Sequence, residues 1–171
     1  FKLSSTYTIY KIGSTYFAMN NEGTEIGTTG AFGAVFNATI AALEVLGGGS
    51  VTLPEGTHSC EQRLKAQTAD TALLAAIPIS IRGQGAGRGR ATVLQLANGV
   101  NDDLFTSHQN PTTVEFPKYG LELKDICFDA NQAGNLTGLS GANLNSYWGL
   151  IKNCSFRKEN YHGWKNFIQT D

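Results

Sequence analysis

Charge is what this chain has least of. Only 16% of its 171 residues are Asp, Glu, Lys or Arg, against about 25% in an ordinary globular domain. The 13 basic and 14 acidic residues leave a formal net charge of −1. The sequence therefore carries no electrostatic footprint for nucleic acid or an anionic membrane. It has no apolar run of about 20 residues, which excludes a helical membrane span. No signal-peptide pattern is visible. Cysteine is scarce, with Cys60, Cys127 and Cys154 the full set. An odd count leaves at least one thiol unpaired and gives no disulfide framework. His58, His108 and His162 are far apart and lack metal-ligand spacing. No Ser-His-Asp arrangement can be argued from them.

Glycine is plentiful, at 20 residues, and Thr, Ser and Asn are abundant. Such sequences favour β-structure with many turns. They are common on secreted proteins and virion surfaces, so an extracellular, cell-surface or virion-surface location is expected. Asn37, Asn135 and Asn153 begin Asn-x-Ser/Thr triplets, a number close to chance in so Asn- and Thr-rich a chain. The chain opens on Phe1 rather than Met. It is expected to be processed, or to be part of something longer.

Residues 7–19 alternate as strands around Gly13-Ser14, which predicts a β-hairpin. Asn20–Gly30 is polar and reads as a linker. Ala34–Leu46 is the one good helix, with Val35, Phe36, Ile40, Leu43 and Leu46 at helical spacing and Gly47-Gly48-Gly49 as the stop. Short strands are expected at 50–53, 78–82, 92–96, 103–106, 120–128 and 148–156. Residues 107–119 read as a loop excursion between Pro-marked stops.

An echo at 28 residues runs through these strands. Val51 and Leu53 recur as Ile79 and Ile81. Leu123-Lys124-Asp125-Ile126-Cys127-Phe128 recurs as Ile151-Lys152-Asn153-Cys154-Ser155-Phe156. Strand-like repeats of this length predict a solenoid. Cys127 and Cys154 fall one residue out of that register, so no disulfide is expected between them.

The helix, then GGGSVTLPEGTH, ISIRGQGAGRGRATVLQL and LELKDICFDAN, resemble the N-terminal part of the pectate lyase superfamily over roughly residues 28–156. The resemblance implies an all-β, right-handed parallel β-helix behind an N-terminal hairpin and a capping helix. The expected division is 1–27 for hairpin and linker, 28–49 for the capping helix and 50–171 for the coils. The family holds polysaccharide lyases and hydrolases as well as tailspikes, which are often trimers. Its catalytic residues lie on later coils, so no catalytic set is recognisable here and any chemistry is expected beyond Asp171.

Several candidate sites remain. The loop Gly83–Arg90 lacks the third Gly or the Lys-Ser/Thr of a phosphate cradle and reads as a structural turn. Glu122, Asp125 and Asp129 form an acidic group. Asp125, Asp129 and Glu159 are the residues that would hold Ca²⁺, as acidic residues on adjacent coils do in the β-helix lyases. The plain alternative is an Asp129–Arg157 ion pair on a solvated face. Tyr147, Trp148, Tyr161 and Trp164 form an aromatic set, which suits sugar stacking or an interface. Arg157 and His108, the latter on the loop, join them as glycan or interface candidates.

Three functions follow as expectations. The first is a surface module of spike, adhesin or appendage type that binds a polysaccharide or docks into an assembly. The second is the N-terminal segment of a secreted polysaccharide lyase or glycoside hydrolase. The third is a structural subunit of a homo-oligomer.

Overall fold

A computed structural model describes residues 5–69, 71–87, 91–107, 118–131, 133–135, 140–144, 146–147, 149–157 and 162–165, with only the backbone at 140, 141, 143, 146, 147 and 162–165. The chain opens with β1 (Ser5–Ile12) and β2 (Thr15–Asn20), an antiparallel hairpin in which Ile9 faces Ala18 and Tyr10 faces Phe17. Alternation decides which side is buried. Tyr7, Ile9, Tyr16 and Ala18 point inward and are buried, while Tyr10 and Ile12 stay exposed.

Helix α1 (Phe32–Val45) packs Phe32, Val35, Phe36, Ile40 and Leu43 inward along one stripe. Its C-terminus is closed locally. Gly47 has φ +83°, its N–H donates to Glu44 O at 3.1 Å, and Gly48 N–H donates to Leu43 O at 2.9 Å. This is the double hydrogen bond of a left-handed glycine stop. The N-terminus has no cap of its own, since Ala31 offers no side-chain acceptor. Glu61 supplies one from a distant turn, accepting from Gly33 N–H at 3.0 Å and Ala34 N–H at 2.9 Å. A carboxylate there meets two orphan donors and the positive end of the helix dipole. Glu61→Ala is expected to cost about 1–2 kcal/mol in urea unfolding. A change under a few tenths would contradict that role.

The remaining elements are short. They are β3 (Gly49–Thr52), β4 (Gly56–Cys60), β5 (Leu64–Lys65), α2 (Ala72–Ala75), β6 (Ile79–Arg82), β7 (Thr92–Leu96), β8 (Phe105–Thr106), β9 (Lys118–Tyr119), β10 (Leu121–Lys124), β11 (Ile126–Asp129), β12 (Ser140–Asn143), β13 (Ser146–Tyr147), β14 (Leu150–Lys152), β15 (Ser155–Arg157) and β16 (His162–Lys165). They form a six-stranded sheet in the order β14-β10-β6-β3-β1-β2. Two four-stranded sheets run β15-β11-β7-β4 and β16-β12-β8-β5, and β13 pairs with β9. Every pairing is parallel except the hairpin.

The core lies between the sheets and α1. Tyr7, Val51, Ile81 and Leu123 stand in register and are buried, with Ile151 packed against them at the far strand. A file of rings runs beside them. Phe36 meets Phe105 at 6.4 Å, Phe105 meets Phe128 at 5.8 Å, and Phe128 stacks on Phe156 at 5.1 Å and 8°. Gly83 fills a position with no room for a side chain, because a Cβ there would strike Asp125 O and lie 2.7 Å from Thr92 Cβ. The structural-turn reading of this loop holds over Gly83–Gly87, where Gly83 N–H donates to Lys124 O and Gly85 N–H to Asp125 O. Residues 88–90 lie outside the described residues.

The expected all-β parallel β-helix is corrected. The fold is mixed α/β, with two helices, one mixed sheet and parallel sheets that are not closed. No constant period runs through it either. Val51 pairs with Ile81, 30 residues on, rather than with Ile79. Ile81 then pairs directly with Leu123, 42 residues on, and only the Leu123–Ile151 step has the spacing of 28. The physical reason is that the connections between strands vary in length while the strand pairs themselves stay in register.

Candidate functional site

The side chains that point outward from the six-stranded sheet form the most extensive polar surface among the described residues. Register and alternation place them in two rows. One row is Thr6, Ser50, Ser80, Glu122 and Leu150. The other is Thr8, Thr52, Arg82, Lys124 and Lys152. Neighbours in a row sit one strand apart, about 4.7–4.9 Å. Two open depressions lie along these rows. One of about 310 Å³ is lined by Ser50, Ser80, Glu122 and Leu150 over Gly49, Pro78, Ile79 and Gly120. The other, of about 490 Å³, is lined by Thr52, Arg82, Gly83, Gln84 and Asp125.

Hydrogen bonds hold these groups in place. Thr6 and Ser50 share one at 3.0 Å between their hydroxyls. Ser80 Oγ donates to Glu122 at 3.1 Å, and Lys124 Nζ donates to the same carboxylate at 2.8 Å. The Lys124 hydrogen bond holds the Glu122 carboxyl below its ordinary value, against a smaller opposing effect of burial. Asp125 takes φ +59° and Asn153 φ +51°, and the Asn153 amide donates to Asp125 Oδ1 at 3.1 Å. Arg82 lies 3.6 Å from the other Asp125 oxygen. The amide of Gln84 donates to Leu53 O at 3.1 Å.

The acidic residues expected to hold Ca²⁺ do not fit that ion. Asp129 is fully buried. One of its oxygens accepts from Asn131 N–H at 2.9 Å; the other accepts from Gln95 at 3.2 Å and lies 3.2 Å from Arg157 Nε. Its charge and lone pairs are thus met by protein donors. Asp125 is engaged by Asn153 and Arg82. Among the described residues no three His, Cys, Asp or Glu side chains gather to hold a metal. Glu159 lies outside the described residues, as do His108, Trp148 and Tyr161. Tyr147 falls on β13 in register with Tyr119, and Trp164 on β16 in register with Ala142. Arg157 is drawn to Asp129 as its ion-pair partner.

Groups with reactive potential are buried and engaged. Cys60, Cys127 and Cys154 are free thiols. Burial pushes the Cys60 thiol far up and raises Cys154 as well, so neither is an activated nucleophile. His58 lies against Phe32 at 5.1 Å, with Nε2 3.0 Å from Pro54 O and Nδ1 3.0 Å from the Tyr16 hydroxyl. A carbonyl only accepts, so Nε2 carries the proton and Nδ1 accepts from Tyr16. Burial holds the ring below its ordinary pKa, in the neutral form. A third depression of about 590 Å³ lies between α1 and α2, lined by Glu44, Val45, Thr68, Leu73, Leu74 and Ile77 among others. Nearby, Lys118 is fully buried and donates to Leu74 O at 2.8 Å.

Sequence reasoning missed the outward rows. Ser50, Thr52, Ser80 and Arg82 do alternate with Val51 and Ile81, which is the available signal. Nothing in one strand tells which distant strand stands beside it. No family model, no curated protein and no solved structure matches this chain. Among the described residues no helix is long and apolar enough to cross a membrane.

Proposed function

We propose that this chain is a surface module of spike, adhesin or appendage type, placed outside the cell or on a virion, that binds a glycan across the outward face of its six-stranded sheet. The observation that carries this reading is the pair of depressions set on the same strands, lined by hydroxyl, carboxylate, guanidinium and amide groups. Sugars present dense hydroxyl donors and acceptors, and such a set answers both. The depressions are open and shallow, as suits an extended chain rather than an enclosed small molecule. No described group is poised as a nucleophile, so binding rather than turnover is the fitting activity.

The test is a glycan array followed by calorimetry on the best ligand. The Arg82→Ala and Glu122→Ala variants are each expected to weaken binding about tenfold, the equivalent of 1.4 kcal/mol. Unchanged affinity in both would remove this face from consideration. Release of new reducing or unsaturated ends from the bound polysaccharide would replace the binding reading with an enzymatic one.

A further inference from the structure

The hairpin end of the same face differs in chemistry from its middle. Tyr10 and Phe17 are direct cross-strand partners, with ring centroids 5.5 Å apart and planes 21° from parallel. Phe17 covers one face of the Tyr10 ring, yet Tyr10 keeps 44% of its surface exposed. The other outward positions of β1 and β2 are Thr6, Thr8, Ile12, Thr15 and Met19, none of them charged. Lys11 is turned toward Tyr16, its ammonium 5.3 Å from that ring.

We propose that Tyr10 and Phe17 form a stacking subsite for a neutral pyranose ring of the glycan bound on this face. The inference rests on the glycan reading above and gives that ligand a neutral part. Continuity carries it. Thr8 is in register with Thr52, which lines the larger depression. Tyr10 is two residues beyond Thr8 on the adjacent strand, which makes Tyr10 and Thr52 diagonal neighbours about 7–8 Å apart. A glycan seated in the depression reaches the rings without leaving the sheet. The apolar face of a pyranose suits an aromatic surface, and an uncharged surround imposes no preference for an acidic sugar. A cross-strand aromatic pair also steadies a hairpin by about 0.2–1 kcal/mol, which accounts for the pairing but leaves the exposed ring surface unused.

The experiment is an array of linear glucose, galactose and mannose hexaoses beside uronic-acid oligomers, probed with wild type, Tyr10→Ala, Phe17→Ala, Tyr10→Phe and Arg82→Ala. Thermal melting checks each variant for folding, and sedimentation velocity gives its size. The expected result is wild-type binding to a neutral hexaose, about tenfold weaker in Tyr10→Ala and Phe17→Ala and kept in Tyr10→Phe. If Arg82→Ala loses binding while Tyr10→Ala keeps it, the subsite is overturned and the glycan face stands. If wild type binds no glycan, both fall. If Tyr10→Ala changes the size of the particle along with its binding, the rings are a contact between copies and the subsite is overturned.

Discussion

Phe128→Ala is expected to destabilise the fold by about 3–5 kcal/mol. Phe128 is fully buried, held between Phe105 at 5.8 Å and Phe156 at 5.1 Å, in a file that continues to Phe36 on α1. Deleting the ring removes contacts on both sides at once. The hole cannot close easily, because β11 is hydrogen-bonded to β7 on one side and β15 on the other. Strand spacing fixes those neighbours at ladder distance, so the cavity cost adds to the lost transfer energy. A domain with about 5–15 kcal/mol of total stability loses a large part of it. Urea unfolding measures the effect. Phe128→Leu serves as the control and is expected to cost less, since it fills more of the same space. A loss under about 1 kcal/mol for the alanine variant would mean that the ring file does not bear on stability.

Raising the pH from 8 to 9 is expected to stabilise the fold, and Lys118→Met to abolish that gain. Burial lowers the Lys118 pKa to about 8 from 10.5, while the nearby Glu44 charge pulls it the other way. Above pH 8 the folded protein releases this proton and the unfolded chain still holds it. The unfolded state then binds more protons, and stability rises with pH. Over the one unit from 8 to 9 the gain approaches about 1.4 kcal/mol. The thiols oppose it further up. Cys60 and Cys154 have folded pKa values raised above 9.0 by burial. Their unfolded forms ionise first, so stability falls as pH climbs past 9. The expected profile rises to about pH 9 and then flattens or declines. Lys118→Met keeps only the decline. Urea midpoints at half-unit steps from pH 7.5 to 9.5 decide the matter, and equal slopes for the two proteins below pH 9 would clear Lys118 of any part in it.

The legible parts of the chain were those in which one short window carries the whole signal. Helix α1 was placed within two residues at its start and one at its end, because Val35, Phe36, Ile40 and Leu43 share a stripe and three glycines close it. The hairpin followed from alternation about Gly13. The echo of Leu123 in Ile151 was a true pairing. That of Val51 in Ile79 was not, and the reason is parity. A shift of two residues keeps every inward side chain inward, so Ile79 and Ile81 were equally good partners by pattern alone. The expected solenoid failed on the same ground, for one true spacing of 28 does not make a period. Strand β4 hid because Thr57, Ser59 and a buried His58 do not read as an apolar alternation. Single-turn α2 and two-residue β9 are too short for any periodicity. The polar face was hidden for a different reason. Ser80 and Glu122 hydrogen-bond across 42 residues of chain, and only the fold brings them together.

The cap supplied by Glu61 divides α1 into two kinds of helix. Its last turn is closed by the glycines that follow it and needs nothing else from the chain. Its first turn depends on a carboxylate 28 residues downstream, on the connection between β4 and β5. As the chain grows from its N-terminus, α1 is complete in sequence before its own cap has been made. The amides of Gly33 and Ala34 must therefore wait in water until that connection takes shape, which ties the start of the helix to the order in which the sheets assemble.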